Sequence, residues 1–197
     1  MIRILAAAVA AAALLVGCGI PVEEAPRPLP TGTTSPTSAA SESAAPAPNE
    51  EAVSLWFVRE SRLAPAQRTV TGPTSPQVAI DLLAEGPTKP EQAAGLRSSV
   101  VSVVTGEPLV VTAQAAGVGL SDVPSDEVAV VLRPAFKDLL SEEQVLVLGQ
   151  VVMTLAVDPI SAVLFVDKDG QALGVPTADG RLANGPVGPK DYAMLIE

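Results

Sequence analysis

The chain changes composition near residue 51, and this change limits which part can fold. Residues 19–50 contain seven prolines, eight serines or threonines and no aromatic residue, whereas all five aromatic residues lie beyond residue 51. A segment of that composition cannot bury enough apolar surface to offset the entropy lost on ordering. We therefore predict a disordered linker over 18–50 and one folded domain over 51–197. The 147 residues of that domain are enough for a single hydrophobic core.

The N-terminal segment predicts export. One positive charge, on Arg3, precedes an apolar run of 13 residues over 4–16. A transmembrane helix needs about 20 apolar residues, so this run favours a cleaved signal peptide over 1–17 rather than a permanent span.

The only cysteine of the chain, Cys18, follows this run directly. The sequence Leu15-Val16-Gly17-Cys18 resembles the lipobox of bacterial lipoproteins, in which the cysteine is acylated and becomes the first residue after cleavage. The resemblance implies that Leu15, Val16 and Gly17 are recognised by the signal peptidase and that Cys18 carries the lipid, palmitate included.

A free or buried thiol is the alternative for Cys18. The polar, proline-rich sequence after it offers no core in which to bury a thiol, and an exposed unpaired cysteine outside the cell is open to oxidation. One acyl chain anchors only marginally, but the several chains of a lipoprotein hold it firmly. We expect the mature protein on the extracytoplasmic face of the cell membrane.

Net charge limits the partners. Removing residues 1–17 takes away Arg3 and no acid, which leaves 11 basic against 22 acidic residues, a net charge of −11. An acidic surface repels polyphosphate and anionic lipid, so we expect no nucleic-acid binding and membrane attachment only through the lipid. The linker would span roughly 30 Å as a flexible coil and about 100 Å fully extended. O-glycosylation of its Ser/Thr-Pro run is left open.

Hydrophobic periodicity and turn residues predict an α+β domain. One helix should begin at Ser75-Pro76, with Ser75 as its cap, and end at Gly86-Pro87. A long, nearly surrounded helix should follow a capping box formed by Ser141 and Gln144 and end at Asp158-Pro159. Strands are expected over 53–58, 108–112, 118–121 and 128–132, with a hairpin over 162–166 and 171–175 and a short helix or strand over 189–196.

That order of elements indicates the fold class. We expect a single α+β domain with a mixed, mostly antiparallel sheet and two main helices packed on one face, preceded by the signal peptide and the disordered linker.

Four local patterns resemble the GerMN (sporulation and spore germination) domain of Gram-positive envelope lipoproteins. They are Leu-Ala-Glu-Gly-Pro-Thr over 83–88, Gly-Leu-Arg-Ser-Ser over 95–99, Gln-Val-Val-Met-Thr-Leu over 150–155, and a late Asp-Gly hairpin followed by Val175-Pro176. The resemblance implies a compact α/β module in an envelope-associated protein, with no established catalytic activity. Arginine outnumbers lysine eight to four, and Ala, Val and Pro are abundant, which is typical of an actinobacterial source.

The chain departs from the family pattern at two places. Ser99-Val100-Val101 stands where a proline is usual, and Gly119-Leu120-Ser121 stands where the family has Asp-Leu-Ser. A ligand role tied to the missing acid is therefore not expected here, and the family name does not imply a role in sporulation.

The residues available for catalysis are few. The chain has no histidine, which removes the commonest general base and the commonest metal ligand, and its thiol is assigned to lipid. We expect a non-enzymatic protein without cofactor or metal. Asp167-Lys168-Asp169-Gly170 is interpreted as a hairpin turn rather than a calcium loop, because Ala178 stands where the bidentate glutamate belongs.

Candidate binding residues are Arg97 and Ser98 of the second pattern, together with Arg59 and Arg68. Guanidinium groups bind carboxylates and phosphates in bidentate fashion, which suits wall polymers or an acidic protein surface. The leading hypothesis is a lipid-anchored module that binds or scaffolds an envelope protein or peptidoglycan. The alternative is a glycan-cleaving enzyme that uses acids alone, for which Glu142 and Glu143 are the adjacent pair.

The assignment of Cys18 predicts the behaviour of a variant. We expect that the lipoprotein signal peptidase does not cleave the Cys18→Ser variant and that the variant incorporates no fatty acid. A smaller fraction of the protein should then remain in the membrane pellet. Fractionation with labelled fatty acid measures both effects. Equal retention of variant and wild type in the membrane pellet would contradict the assignment.

Overall fold

The computed structural model describes residues 49–197. The signal peptide, Cys18 and nearly all of the linker predicted over 18–50 lie outside the described residues. Within the described part, no helix has the length and apolar character needed to cross a membrane.

The domain begins with a long β-hairpin. Strand β1 (Glu50–Arg59) pairs antiparallel with β2 (Arg62–Thr71) along its whole length. Strand β1 is longer than predicted, and β2 was not predicted. Side chains of Val53, Leu55 and Phe57 alternate into the core, where the last two are fully buried.

Two residues, Glu60 and Ser61, connect these strands, and both have positive φ, 49° and 66°. Arg59 faces Arg62 across this two-residue loop. Positive φ at both central residues is the geometry of a type I′ turn, whose twist matches that of the flanking strands. The hairpin was missed because Glu-Ser is not the Asn-Gly or Asp-Gly pair that usually marks such a turn.

A second sheet has the order β3-β4-β5. Strand β3 (Val110–Thr112) runs antiparallel to β4 (Glu127–Leu132), which runs parallel to β5 (Ala162–Val166). A parallel pair needs a crossover, and the long helix described below forms it. The remaining strand pairs, β1 with β2 and β6 (Val175–Pro176) with β7 (Leu182–Ala183), are antiparallel.

Helix α1 (Pro76–Glu85) begins where it was predicted. The Val78 amide donates to Ser75 Oγ at 3.3 Å, Pro76 occupies the first turn, and Gly86 follows at φ 88°. A short helix, α2 (Lys89–Ala93), comes next and was not predicted.

Helix α3 (Ser141–Leu155) is the most deeply buried element, and nine of its 15 residues are buried, as predicted. The predicted capping box is wrong. Leu140 occupies the N-cap position, and the side-chain Nε2 of Gln144 donates to the carbonyls of Phe136 and Leu139 at 3.4 and 3.1 Å. Ser141 therefore lies inside the helix, where its hydroxyl cannot act as the cap.

The strand predicted over 118–121 is also wrong. This segment is irregular, and Val118, Leu120 and Val123 pack on the face of the three-stranded sheet that carries Ala129 and Val131. The apolar residues that suggested a strand are there because a loop covers this face, while α1 and α3 pack on the other.

The hairpin predicted over 162–175 forms only at its turn. Strand β5 is present, and Val166 bridges Ala172, but β6 then pairs with β7 instead of β5. The segment over 189–196 contains two 3₁₀ turns, and Ile196 forms a parallel bridge with Leu63. The predicted fold class, a single α+β domain with antiparallel-rich sheets and the two main helices on one face, is confirmed.

One buried side chain connects three elements. Gln150 of α3 is fully buried; its amide donates to the Trp56 carbonyl at 2.8 Å, and its oxygen accepts from the Ser99 amide at 2.7 Å. The Trp56 amide donates to Thr154 Oγ at 3.1 Å, one turn further along the helix. These bonds satisfy backbone groups that would otherwise be buried without partners.

Removing this amide should destabilise the domain. We expect Gln150→Leu to lower the free energy of unfolding by about 2 to 4 kcal/mol, because the Trp56 carbonyl and the Ser99 amide lose their partner. Denaturant unfolding measures the change, and Gln114→Leu at an exposed position should cost at most about 0.5 kcal/mol. A Gln150→Leu variant as stable as this control would show that the bridge is not needed.

Candidate functional site

Arg97 lies beside β1 and is paired within the domain. Its backbone exchanges two hydrogen bonds of 2.8 Å with Val58, which continues the β1 edge. Its guanidinium donates to both carboxylate oxygens of Glu143 at 3.0 and 3.3 Å and to Ser99 Oγ at 2.5 Å. The side chain is 46% exposed, so an external anion would compete with Glu143 for it.

Arg68 forms the most enclosed ion pair among the described residues. Its guanidinium donates to both oxygens of Glu91 at 2.7 and 2.5 Å and lies 5.5 Å from the ring centre of Phe57. Glu91 also accepts from the backbone amide of Thr88 at 2.7 Å. The Arg68 guanidinium lowers the pKa of the Glu91 carboxyl to about 2. This pair joins β2 to α2.

The other two predicted binding residues are also engaged. Arg59 forms a bidentate pair with Glu197 and lowers the pKa of that carboxyl. The hydroxyl of Ser98 donates to the Leu83 carbonyl at 2.6 Å and joins two of the four sequence patterns. Arg59 lies at the same end of the hairpin as Arg97, because Val58 pairs with Arg97, whereas Arg68 lies further along β2. Their roles in binding stay predictions.

In the acidic turn at 167–170, a carboxylate accepts hydrogen bonds from backbone amides of the same turn and of the residue after it. Asp167 Oδ1 accepts from the amides of Asp169 and Gln171, both at 2.9 Å, and the Gln171 bond lowers the pKa of Asp167. Gly170 has a φ of 78°, as a turn glycine requires. No group of three or more metal-ligating side chains occurs in the described part of the chain.

Sequence reasoning missed a cleft of about 400 Å³ beside the first half of β1. Its walls are β1 itself, the start of α1 and the segment that follows α3. The apolar side of the cleft includes Val157, which is 55% exposed, together with Pro159 and Ile160. A volume of this size suits a small ligand or a few residues of a peptide.

The open edge of β1 faces this cleft. Alternate residues of a strand direct their backbone groups to opposite sides, and Val58 and Trp56 direct theirs away from β2, to Arg97 and to α3. Ser54 and Ala52 have the same parity, and both line the cleft. Hydrogen bonds within the described residues satisfy this edge at Val58 and Trp56 but do not continue to Ser54 and Ala52.

Two carboxylates, Glu51 and Asp158, line the cleft, and none of the described residues that line it is basic. Glu51 accepts from the Thr74 amide at 2.9 Å through one oxygen, and the side chain of Thr74 together with this amide lowers the pKa of Glu51. A bound group should therefore be neutral or positively charged.

A second cleft, of about 360 Å³, lies between the start of α1 and the loop that covers the three-stranded sheet. The side-chain oxygen of Gln77 lies at this cleft and accepts from the Thr112 amide and hydroxyl at 3.0 and 2.7 Å. Val118, Leu120 and Val123 give the cleft an apolar wall. Its polar groups are therefore mostly committed to each other.

The partly buried pair of Arg68 and Glu91 predicts an acid-dependent stability. The folded pKa of Glu91, about 2, lies below its ordinary value of 4.5, so the pair stabilises the domain above about pH 4.5 and loses this effect as the pH falls towards 2. With side chains only 17% and 22% exposed, the coupling should be about 1 to 2 kcal/mol near neutral pH.

A double-mutant cycle of Arg68→Met and Glu91→Gln, followed by denaturant unfolding, measures this coupling. We expect it to be full near neutral pH and to disappear as the pH falls through about 2. A coupling energy that did not change with pH would contradict the assignment.

Comparison with known proteins finds a similarity among solved structures. No family model matches the chain, and no curated protein matches it. Among solved structures, the domain is similar to the tandem GerMN domains of the sporulation protein GerM from Bacillus subtilis, with 15% identity and a TM-score of 0.49. The match covers 77% of this chain and 50% of that chain.

Proposed function

We propose that this protein is a lipid-anchored cell-envelope protein whose GerMN-like domain is a non-enzymatic module that binds or scaffolds an envelope protein or peptidoglycan. The observation that carries the proposal is the cleft beside β1, where a strand edge without hydrogen-bond partners among residues 49–197, an apolar wall and two carboxylates meet. The lipobox-like sequence at Cys18 and the proline-rich linker support a position outside the cytoplasmic membrane.

The surface of the domain offers a further contact. Val103 and Val104 are 97% and 89% exposed at a turn, and the hydroxyl of Ser102 accepts from the amides of Val104 and Thr105 at 3.3 Å. Two neighbouring apolar side chains held at the tip of an ordered turn favour a binding role over a purely solvated surface.

The chemistry of the domain supports a role without catalysis. The whole chain lacks histidine, and Glu143, one member of the adjacent acid pair, is engaged by Arg97 and Ser99. Acid-only glycan hydrolysis needs two carboxyl groups placed on either side of a sugar bond. Adjacent helical residues such as Glu142 and Glu143 project in different directions, which does not suit that geometry.

Capture from native membranes tests the proposal. Tagged full-length protein, crosslinked in cells and purified from detergent extracts, should recover a specific protein or peptidoglycan fragments. Arg97→Ala should reduce this recovery, with Arg133→Ala at another exposed position as the matched control. Thermal unfolding of both variants separates lost binding from lost folding.

Digestion of peptidoglycan provides the opposing result. Purified full-length protein incubated with peptidoglycan should release no soluble fragments. Release of fragments that is abolished by replacing a single Asp or Glu would support the enzymatic alternative instead of the binding proposal. The binding proposal would also be overturned if the capture from membranes recovered no specific partner and Arg97→Ala behaved as wild type.

A further inference from the structure

The cleft beside β1 has the features of a strand-addition site. Outward backbone groups of β1 are satisfied at Val58 by the backbone of Arg97 and at Trp56 by side chains of α3. At Ser54 and Ala52 the helix has ended, and the same edge continues into the cleft, where its amides and carbonyls have no hydrogen-bond partner among residues 49–197. An extended peptide can add to an open edge of this kind through backbone hydrogen bonds, and neighbouring pockets then select its side chains.

The walls of the cleft indicate which peptide would fit. Val157, Pro159 and Ile160 offer an apolar surface to one set of alternating side chains. Glu51 and Asp158 add carboxylates to the lining, and the described residues of the lining include no arginine or lysine. The complementary segment combines small apolar residues with basic residues.

Two other occupants fit less well. The chain's own linker, over 19–48, contains seven prolines, three acids and one base, and proline cannot donate to a strand edge. A second copy would pair β1 with β1 and bring the same carboxylates, Glu51 and Asp158, towards each other, which disfavours the contact.

We propose that an extended, basic segment of a partner protein adds as a strand to the β1 edge at Ala52 and Ser54. This inference rests on the binding function proposed above and specifies its site and the chemistry of its partner. Backbone hydrogen bonds supply much of the affinity, while the apolar wall and the two acids select the side chains.

Short synthetic peptides test the site on full-length protein in detergent. The probe is the end-capped peptide Val-Lys-Val-Lys-Val, and the control is Val-Glu-Val-Glu-Val. Fluorescence anisotropy should give saturable binding of the lysine peptide with a Kd below about 1 mM, and binding weaker by about tenfold or more for the acidic peptide.

Methylation of the probe's backbone amides tests strand addition without altering the protein. Only every second residue of an added strand bonds to its neighbour. One peptide therefore carries an N-methyl group on the central valine, and the other carries N-methyl groups on both lysines. We expect one of the two to lose binding by about tenfold and the other to bind within about twofold of the parent.

A matched pair of variants locates the edge. Ala52 and Thr69 face each other across the hairpin and direct their outward amides to opposite edges. Ala52→Pro removes an amide from the cleft edge, and Thr69→Pro removes one from the outer edge of β2; Pro65 already occupies a position of that parity in β2. Ala52→Pro should weaken binding of the lysine peptide about tenfold, and Thr69→Pro should weaken it less than about twofold.

Several results would overturn the inference. They are no saturation up to about 1 mM peptide, equal binding of the acidic peptide, equal effects of the two methylation patterns, or equal effects of the two proline variants. If the lysine peptide binds only after proteolytic removal of the linker, the linker itself occupies the β1 edge. If the protein dimerises and Ala52→Pro abolishes the dimer, a second copy occupies it. If Ala52→Pro does not fold, the binding of the two methylated peptides to wild-type protein decides whether a strand is added at the β1 edge.

The outcome separates this inference from the proposed function. A partner recovered from membranes, together with peptides that do not bind, would leave the proposed function in place and remove the strand-addition site.

Discussion

The domain is organised around the bonds that α3 makes to the backbone of β1. Gln150 and Thr154 satisfy the amide and carbonyl of Trp56, and Gln150 also binds the amide of Ser99. A buried amide with all its partners in place is stabilising, whereas the same groups without it would each carry a desolvation cost. This requirement holds the hairpin, the long helix and the segment containing Arg97 in one arrangement.

The same contact determines where the surface is open. Because α3 ends at Leu155, its polar side chains satisfy the β1 edge only as far as Trp56. The chain then turns away through 157–160 and leaves a gap of about 400 Å³ beside Ala52 and Ser54. The length of one helix thus separates the covered part of the strand edge from the accessible part.

Close packing next to Gln150 explains a glycine in the helix. A Cβ at Gly149 would lie 2.8 Å from a side-chain methyl of Leu195 and 3.1 Å from one of Leu63. Both side chains would have to shift to admit it, so the absence of a side chain at this residue allows the C-terminal segment and the hairpin to pack closely on α3. Gly149 therefore allows close packing against the helix, and the neighbouring Gln150 forms the hydrogen bonds to Trp56 and Ser99.

Local sequence was sufficient for elements whose signals are local. The Ser75-Pro76 start of α1, the apolar faces of α3 and the β-branched and aromatic residues over 53–58 predicted these elements, and with them the α+β class. The division of the chain near residue 51, which rests on the change in composition, stays a prediction.

Tertiary structure alone decided the features that depend on distant residues. Strand β2 contains Pro65 and polar side chains, and it forms because β1 supplies its hydrogen bonds. The apolar residues over 118–123 lie in a loop that packs on the second face of the three-stranded sheet. The partners of Arg68 and Arg97 and the cleft beside β1 likewise depend on elements brought together from separate parts of the chain. Sequence periodicity records which residues are apolar; the folded arrangement decides which backbone groups and charges are left to face solvent.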